Sequence, residues 1–157
     1  MENIIGKEFE ITEIETLAKS ISDILSLEEL NNLIDLSIQA KERSYSPYSK
    51  FRVGCALVTP DGKFIQGTNV ENLSYGLTVC AERNAICHAV VSGERVFKAA
   101  MVTTDMEYFV TPCGMCRQIL QEFNVKYVIL LTVNKRLVVY TMSYLLPAEL
   151  EITHLGK

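Results

Sequence analysis

Three cysteines and one glutamate, carried on two short strings, have the types and spacing to do chemistry together. Thr78-Val-Cys-Ala-Glu-Arg-Asn-Ala-Ile86 holds Cys80 and Glu82, and Thr111-Pro-Cys-Gly-Met-Cys-Arg-Gln118 holds Cys113 and Cys116. Three thiolates are one ligand short of a closed tetrahedral site, so a zinc ion on Cys80, Cys113 and Cys116 would keep a position for water. An open position implies catalysis. Glu82 follows Cys80 at a spacing that does not share a helical face, so it is read as an acid–base group and not as a ligand. The metal would acidify water, Glu82 would take the proton, and the nucleophile would attack an electron-poor carbon.

Other chemistries compete for the same residues. Cys113-Gly-Met-Cys116 by itself fits a thioredoxin-like dithiol at a helix start equally well. Cys80-Ala-Glu82 favours zinc, because dithiol exchange needs neither a third cysteine nor that glutamate. A structural zinc module would need a fourth ligand from Cys55, Cys87, His88 or His154. Cys87 shares a helical face with Cys80 but lies about 10 Å further along the axis, too far to join the same ion. Cys55 and Cys87 are therefore read as small buried apolar residues, and His88 as a surface or packed histidine.

The elements that must position these groups follow from periodicity. Two amphipathic helices open the chain, from about Glu13 to Leu25 and from about Leu27 to Arg43, with Thr12/Glu15 and Ser26/Glu29 as capping boxes. Phe51 to Thr59 and Lys63 to Asn69 read as a hairpin turning at Pro60-Asp61-Gly62. A helix from Cys80 to Ser92 ends at Gly93, and another from Cys113 to Phe123 follows Pro112. Phe97 to Thr104 and Lys126 to Thr132 suit strands buried on both faces. Only Val133-Asn134-Lys135 separates the latter from the strand Arg136 to Thr141, too little for a parallel crossover, so that pair should be antiparallel. Helices alternating with five strands predict a three-layer α/β/α sandwich with a mixed sheet, and Leu145-Leu146-Pro147 should close a short terminal helix.

Composition bounds the function. The 157 residues, 48% hydrophobic and 22% charged, suit one compact domain, and no apolar run approaches the ~20 residues of a membrane span. Net charge is −4 with 15 scattered basic residues, which leaves no footprint for a nucleic acid. An acidic start without a signal pattern predicts a cytoplasmic protein, where five cysteines would stay reduced.

Together with Ser46-Pro-Tyr-Ser-Lys-Phe-Arg-Val-Gly54 and Asn69-Val-Glu-Asn-Leu-Ser-Tyr75, the two strings resemble the small nucleoside cytidine deaminases from about Leu27 to Leu150. The resemblance implies residues 27–157 as a catalytic domain, 1–26 as an extension with one helix, and one Zn²⁺ per subunit. It implies Phe51 against the pyrimidine ring, Asn69 and Glu71 on the ribose 3′-hydroxyl, Tyr75 in the substrate pocket, and Glu82 as proton shuttle. The Ala81 and Cys113 backbones would read the exocyclic edge. Three thiolates leave zinc with net negative charge, which Arg83 would offset by donating to sulfur. The likeness further implies a homotetramer with shared active sites, an alanine where Cys55 stands, and an aromatic where Leu150 stands. Its substrates would be cytidine and deoxycytidine, converted to uridine and deoxyuridine with release of ammonia. A free base or a nucleoside antibiotic is the alternative, and would make little use of Glu71.

Overall fold

Strands that are apolar on both faces need helices above and below them, and the chain supplies both layers. The computed structural model describes residues 4–148, so Leu150 and His154 lie outside the described residues. The elements run β1 (Glu8–Glu10), α1 (Ile14–Ser20), α2 (Leu27–Glu42), β2 (Val53–Val58), β3 (Phe64–Thr68) and α3 (Ala81–Val91). They continue through β4 (Ala99–Thr104), α4 (Gly114–Glu122), β5 (Tyr127–Leu131), β6 (Arg136–Thr141) and α5 (Met142–Leu145). The sheet order is β1-β6-β5-β4-β2-β3, with β4 and β5 parallel and the other pairs antiparallel. The antiparallel hairpin and the antiparallel last pair are as the sequence predicts.

Every residue of β4 and β5 is buried, and the period of two sorts them between the layers. Ala99, Met101, Ile129 and Leu131 join Leu17, Ile21, Leu30 and Leu33 of the first two helices in one cluster. Ala100, Val102, Val128 and Leu130 join Ala85, Ile86 and Leu120 of α3 and α4 in the other. Among the described residues no helix is long and apolar enough to cross a membrane.

The sheet has six strands, not the five expected. The sixth, β1, comes from the segment read as carrying only a helix, and it pairs with the outer edge of β6. Glu8-Phe9-Glu10 alternates correctly for a half-buried strand, with Phe9 facing the core opposite Leu137, but three residues are too few for periodicity to register. This strand displaces the start of the first helix. A 3₁₀ turn at Ile11–Glu13 precedes α1, and the capping box is Glu10/Glu13 in place of Thr12/Glu15. Helix α1 ends at Ser20, short of Leu25, yet Ile21 and Leu25 are still buried. Around α2 the expectation holds: Ser26 caps it, accepting from the Glu29 amide at 3.1 Å, while its own amide donates to the Glu29 carboxylate at 2.9 Å.

One glycine and one ion network lock α2 onto the sheet. A Cβ on Gly54 would sit 2.0 Å from the Ser37 carbonyl oxygen, so α2 lies directly on the backbone of β2. Asp105, just past β4, accepts from Arg52 at 2.7 and 3.0 Å and pairs with the buried Lys41 of α2 at 2.7 Å. Arg52 also reaches Glu42 at 2.6 Å. The network ties the start of β2, the end of β4 and the end of α2 together.

Candidate active site

Helix α3 is placed by a backbone-to-backbone contact. A Cβ on Gly67 of β3 would meet the Ala85 nitrogen at 2.2 Å and the Ala81 carbonyl oxygen at 2.4 Å, so only glycine lets the first turns of α3 approach this closely. The loop before it is closed by reciprocal bonds between Val70 and Val79, at 2.9 and 3.0 Å, which bring Glu71 and Cys80 to one cavity.

Cys80 is the N-cap of α3 and Cys113 the N-cap of α4, and neither side chain caps its helix. Amides of the two first turns are thus left for other partners, and the positive ends of both helices face the sulfurs. Cys116, one turn into α4, is fully buried. The Cys80 and Cys113 sulfurs lie 3.8 Å apart, those of Cys113 and Cys116 3.5 Å, and all three fall within 4.8 Å of one another. Three sulfurs at tetrahedral angles around one zinc ion would be separated by about 3.8 Å. The donor set fits one zinc per subunit.

Among the described residues no Cys, His, Asp or Glu joins this cluster as a fourth ligand. Cys55 is buried as expected, but Cys87 is exposed, which corrects the expectation for it. Cys80 has extended backbone angles as an N-cap, so helical periodicity cannot be counted from it, and the buried positions of α3 are Ala81, Glu82, Ala85, Ile86 and Ala89. The same geometry lets Cys80 and Glu82 line one cavity although they do not share a helical face. His88 is on the surface, its Nδ1 3.1 Å from the Gln66 carbonyl oxygen.

Electrostatics divide the cluster. The Cys80 thiol is lowered to about 5, chiefly by a hydrogen bond from Cys116, then by Cys113 and Arg83. Cys116, hydrogen-bonded to Cys80 and buried, is pushed up. Burial also raises the Glu82 carboxyl above its ordinary range, and the negative charge at Cys80 adds to that. A carboxyl held this way accepts a proton more readily than an exposed glutamate does. Arg83 donates from Nη2 to the Thr78 carbonyl at 2.8 Å, and its Nε is buried without a hydrogen-bond partner. An unpaired cationic donor next to the cysteines favours negative charge there.

A cavity of about 190 Å³ opens onto the cluster, lined by Phe51, Asn69, Glu71, Cys80, Glu82 and Cys113 among others. The structure therefore brings together six of the residues singled out from sequence. Asn69 is buried and heavily engaged: its Oδ1 accepts from the Val53 amide at 2.9 Å and the Ser44 hydroxyl at 2.6 Å, while Nδ2 donates to the Phe51 carbonyl at 2.8 Å. Glu71 accepts from the Ser49 hydroxyl and from the amides of Tyr48 and Ser49 at 3.0 and 3.2 Å. The Ser49 bond holds its carboxyl below the usual range. Ala81 is buried at the first turn of α3. Tyr75 does not line the cavity; it is 70% exposed, its ring 6.1 Å from that of Tyr48.

Sequence reasoning missed the pocket wall of Val102, Thr104, Val110 and Thr111, and it missed Arg117. Arg117 donates to the Pro112 carbonyl at 2.7 Å, the Thr111 hydroxyl at 2.9 Å and the Leu145 carbonyl at 2.9 Å, fixing the turn that carries Cys113. An arginine directly after a metal-type Cys-x-x-Cys was the available signal.

Comparison with known proteins agrees with the chemistry. A family model described as the cytidine and deoxycytidylate deaminase zinc-binding region matches residues 27–132. A probable cytidine deaminase of Dictyostelium discoideum is 48% identical over 100 residues, 63% of this chain and 68% of that one. The cytidine deaminase of Sporosarcina psychrophila is 50% identical over 95 residues, 60% and 70% of the two chains. The crystal structure of cytidine deaminase from Burkholderia pseudomallei superposes with a TM-score of 0.73 at 41% identity, covering 76% of this chain and 98% of that one.

Proposed function

Because this chain belongs to the cytidine and deoxycytidylate deaminase family, we propose that it is a zinc-dependent hydrolase converting cytidine and deoxycytidine to uridine and deoxyuridine with release of ammonia. The observation that carries this is a buried Glu82 beside three converging cysteine sulfurs, both opening on a cavity of nucleoside-compatible lining.

Bound at Cys80, Cys113 and Cys116, zinc supplies Lewis acidity and an activated water. The protein's own groups do the rest. Glu82 takes the proton of the attacking water and places it on N3 of the base as oxygen joins C4. Its carboxylate then takes the remaining proton from the oxygen now joined to C4 and passes it to the exocyclic nitrogen, so that the C4=O bond forms as the C4–N4 bond breaks, with ammonia as the neutral leaving group. The unspent amides at the starts of α3 and α4, at Ala81 and Cys113, orient that edge. Phe51 packs on the ring, and Glu71, held as a carboxylate by Ser49, accepts from a ribose hydroxyl. Asn69 acts mainly by tying the Phe51 and Val53 backbones in place, with one amide hydrogen left for the sugar. Arg83 draws charge from the thiolates, and Tyr75, exposed beside Tyr48, is assigned to substrate contact.

We assign residues 27–157 to the catalytic unit and 1–26 to an extension. The protein acts in cytoplasmic pyrimidine salvage as a homotetramer that finishes its pockets across subunit contacts. What supports the assembly is an apolar rim beside Glu71, where Leu73, Tyr75 and Leu77 are 79%, 70% and 67% exposed. A rim this apolar is suited to burial against a neighbouring subunit.

The test is cytidine deamination, followed by ultraviolet absorbance, for zinc-loaded wild type and Glu82→Gln with zinc content measured in both. The variant should lose activity by roughly 10²–10⁴-fold while keeping its zinc. Zinc-loaded wild type inert on cytidine and deoxycytidine would sink the substrate assignment.

A further inference from the structure

The extension carries Glu8, and β6 carries Arg136; together they reach the loop that walls the cavity. That loop, residues 105–111, leaves β4 and ends with Val110 and Thr111 on the cavity lining. Its start is fixed by Asp105 on Arg52 and Lys41, and its end by the Thr111 hydroxyl on Arg117. Between them Val133 donates to the Met106 carbonyl at 3.0 Å. Arg136 does more: its Nη2 donates to the Glu107 carbonyl at 2.5 Å, and its guanidinium lies 5.3 Å from the centre of the Phe109 ring. Nη1 of the same group pairs with Glu8 at 2.8 Å.

We propose that Arg136 is a positioning residue for the substrate pocket, and that the N-terminal strand serves to hold it there through Glu8. The register explains why β1 is needed. Glu8 stands opposite Val138 in the ladder, diagonal to Arg136, where a long carboxylate side chain reaches the guanidinium. A fork with one tooth on Glu8 and the other on Glu107 cannot follow the loop if the loop moves, so the loop is pinned two residues before Phe109 and three before Val110. Arg136 does not line the cavity and touches no reacting group. Its effect passes through the placement of Val110 and Thr111, and therefore falls on substrate binding more than on the chemical step. The inference rests on the cytidine assignment for its kinetic readout and not for its structural one.

The full chain, zinc-loaded, tests it with Arg136→Met, Arg136→Lys, Glu8→Ala and the double variant Glu8→Ala with Arg136→Met. Arg136→Met should raise KM for cytidine about 5-fold with kcat within about 2-fold and zinc content unchanged, since misplaced binding groups are what is altered. Arg136→Lys should recover part of that loss. Glu8→Ala, at an exposed position, should raise KM about 2-fold and add little to Arg136→Met, because both remove one linkage. Hydrogen exchange of residues 106–110 should quicken in every variant while α2 stays as protected as in wild type. Unchanged KM and unchanged loop exchange in Arg136→Met would overturn the proposal, as would a KM effect of Glu8→Ala that simply adds to it. If wild type deaminates neither cytidine nor deoxycytidine, the substrate assignment fails, and loop exchange alone still decides the positioning role.

Discussion

Gly67 and Ala85 meet backbone to backbone: a Cβ on the glycine would lie 2.2 Å from the Ala85 nitrogen. Helix α3 therefore takes its height above the sheet from one missing methyl group, and Cys80 and Glu82 take theirs from α3. The positions of Cys80 and Glu82 are set by packing against β3 as much as by their own spacing.

Gly67→Ala is accordingly expected to act on stability and zinc together. Neither colliding atom is a side-chain end that could swing away, so α3 must shift or β3 must bend. Overpacking of this kind should cost about 3 kcal/mol, which in a chain of this size lowers Tm by roughly 6–12 °C. Calorimetry and zinc content measured below the new Tm check it. A folded variant that keeps full zinc and full activity would show that α3 is placed by something else.

Arg83 should govern how tightly the metal is held. Three thiolates and Zn²⁺ carry a net negative charge, and Arg83 supplies a nearby cation with a buried, unpaired Nε. Arg83→Met should weaken zinc affinity about 10–100-fold. Competition against a chromophoric chelator measures this directly. Equal affinity in wild type and variant would reduce Arg83 to its bond with Thr78.

The cysteines should sort cleanly by position. Cys80→Ala, Cys113→Ala and Cys116→Ala each leave two sulfurs and should lose the stoichiometric metal, whereas exposed Cys87→Ser should retain one zinc per chain and wild-type activity. Zinc analysis of the four purified variants checks it. Zinc loss in Cys87→Ser would bring a fourth thiol into the site.

How much of this could be read from the chain divides by the range of the interaction. The buried strands, α2 with its Ser26 cap, and the antiparallel last pair depend on local periodicity or loop length, and the sequence displays them. The convergence of Cys80, Cys113 and Cys116 was legible because two helix starts carry an unusual concentration of thiols. Strand β1 was not, since three residues have no measurable period and only the open edge of β6 calls for them. Cys87 is misread because burial is the usual fate of a free cysteine, whereas the buried stripe of α3 runs through Ala81, Glu82, Ala85, Ile86 and Ala89 and leaves Cys87 outside. The anchoring arginines, Arg52, Arg117 and Arg136, are long side chains whose partners lie far along the chain or on backbone carbonyls. No spacing rule finds such partners.

Acid should expose the contribution of one of those anchors. The Asp105 carboxyl is lowered from the ordinary aspartate value of 3.8, first by its hydrogen bonds from Arg52 and then by Lys41, against the opposing effect of burial. A carboxylate whose pKa is lower in the folded than in the unfolded chain adds stability that is complete above the unfolded value. That stability drains away as pH falls from there through the folded value, because the folded state must then be protonated against its partners. Asp105→Asn should thus cost about 2 kcal/mol at pH 7, between the value of an exposed pair and that of a buried one, with a Tm lower by roughly 4–8 °C. Below pH 3.8 the gap between the two proteins should narrow, and it should close once pH falls below the lowered folded value, where the wild-type carboxyl takes up its proton. Thermal unfolding from pH 7 to pH 3 measures the gap. A difference that stays constant over that range would mean that Asp105 stabilises by shape and hydrogen bonding, and that its charge on Arg52 and Lys41 contributes nothing.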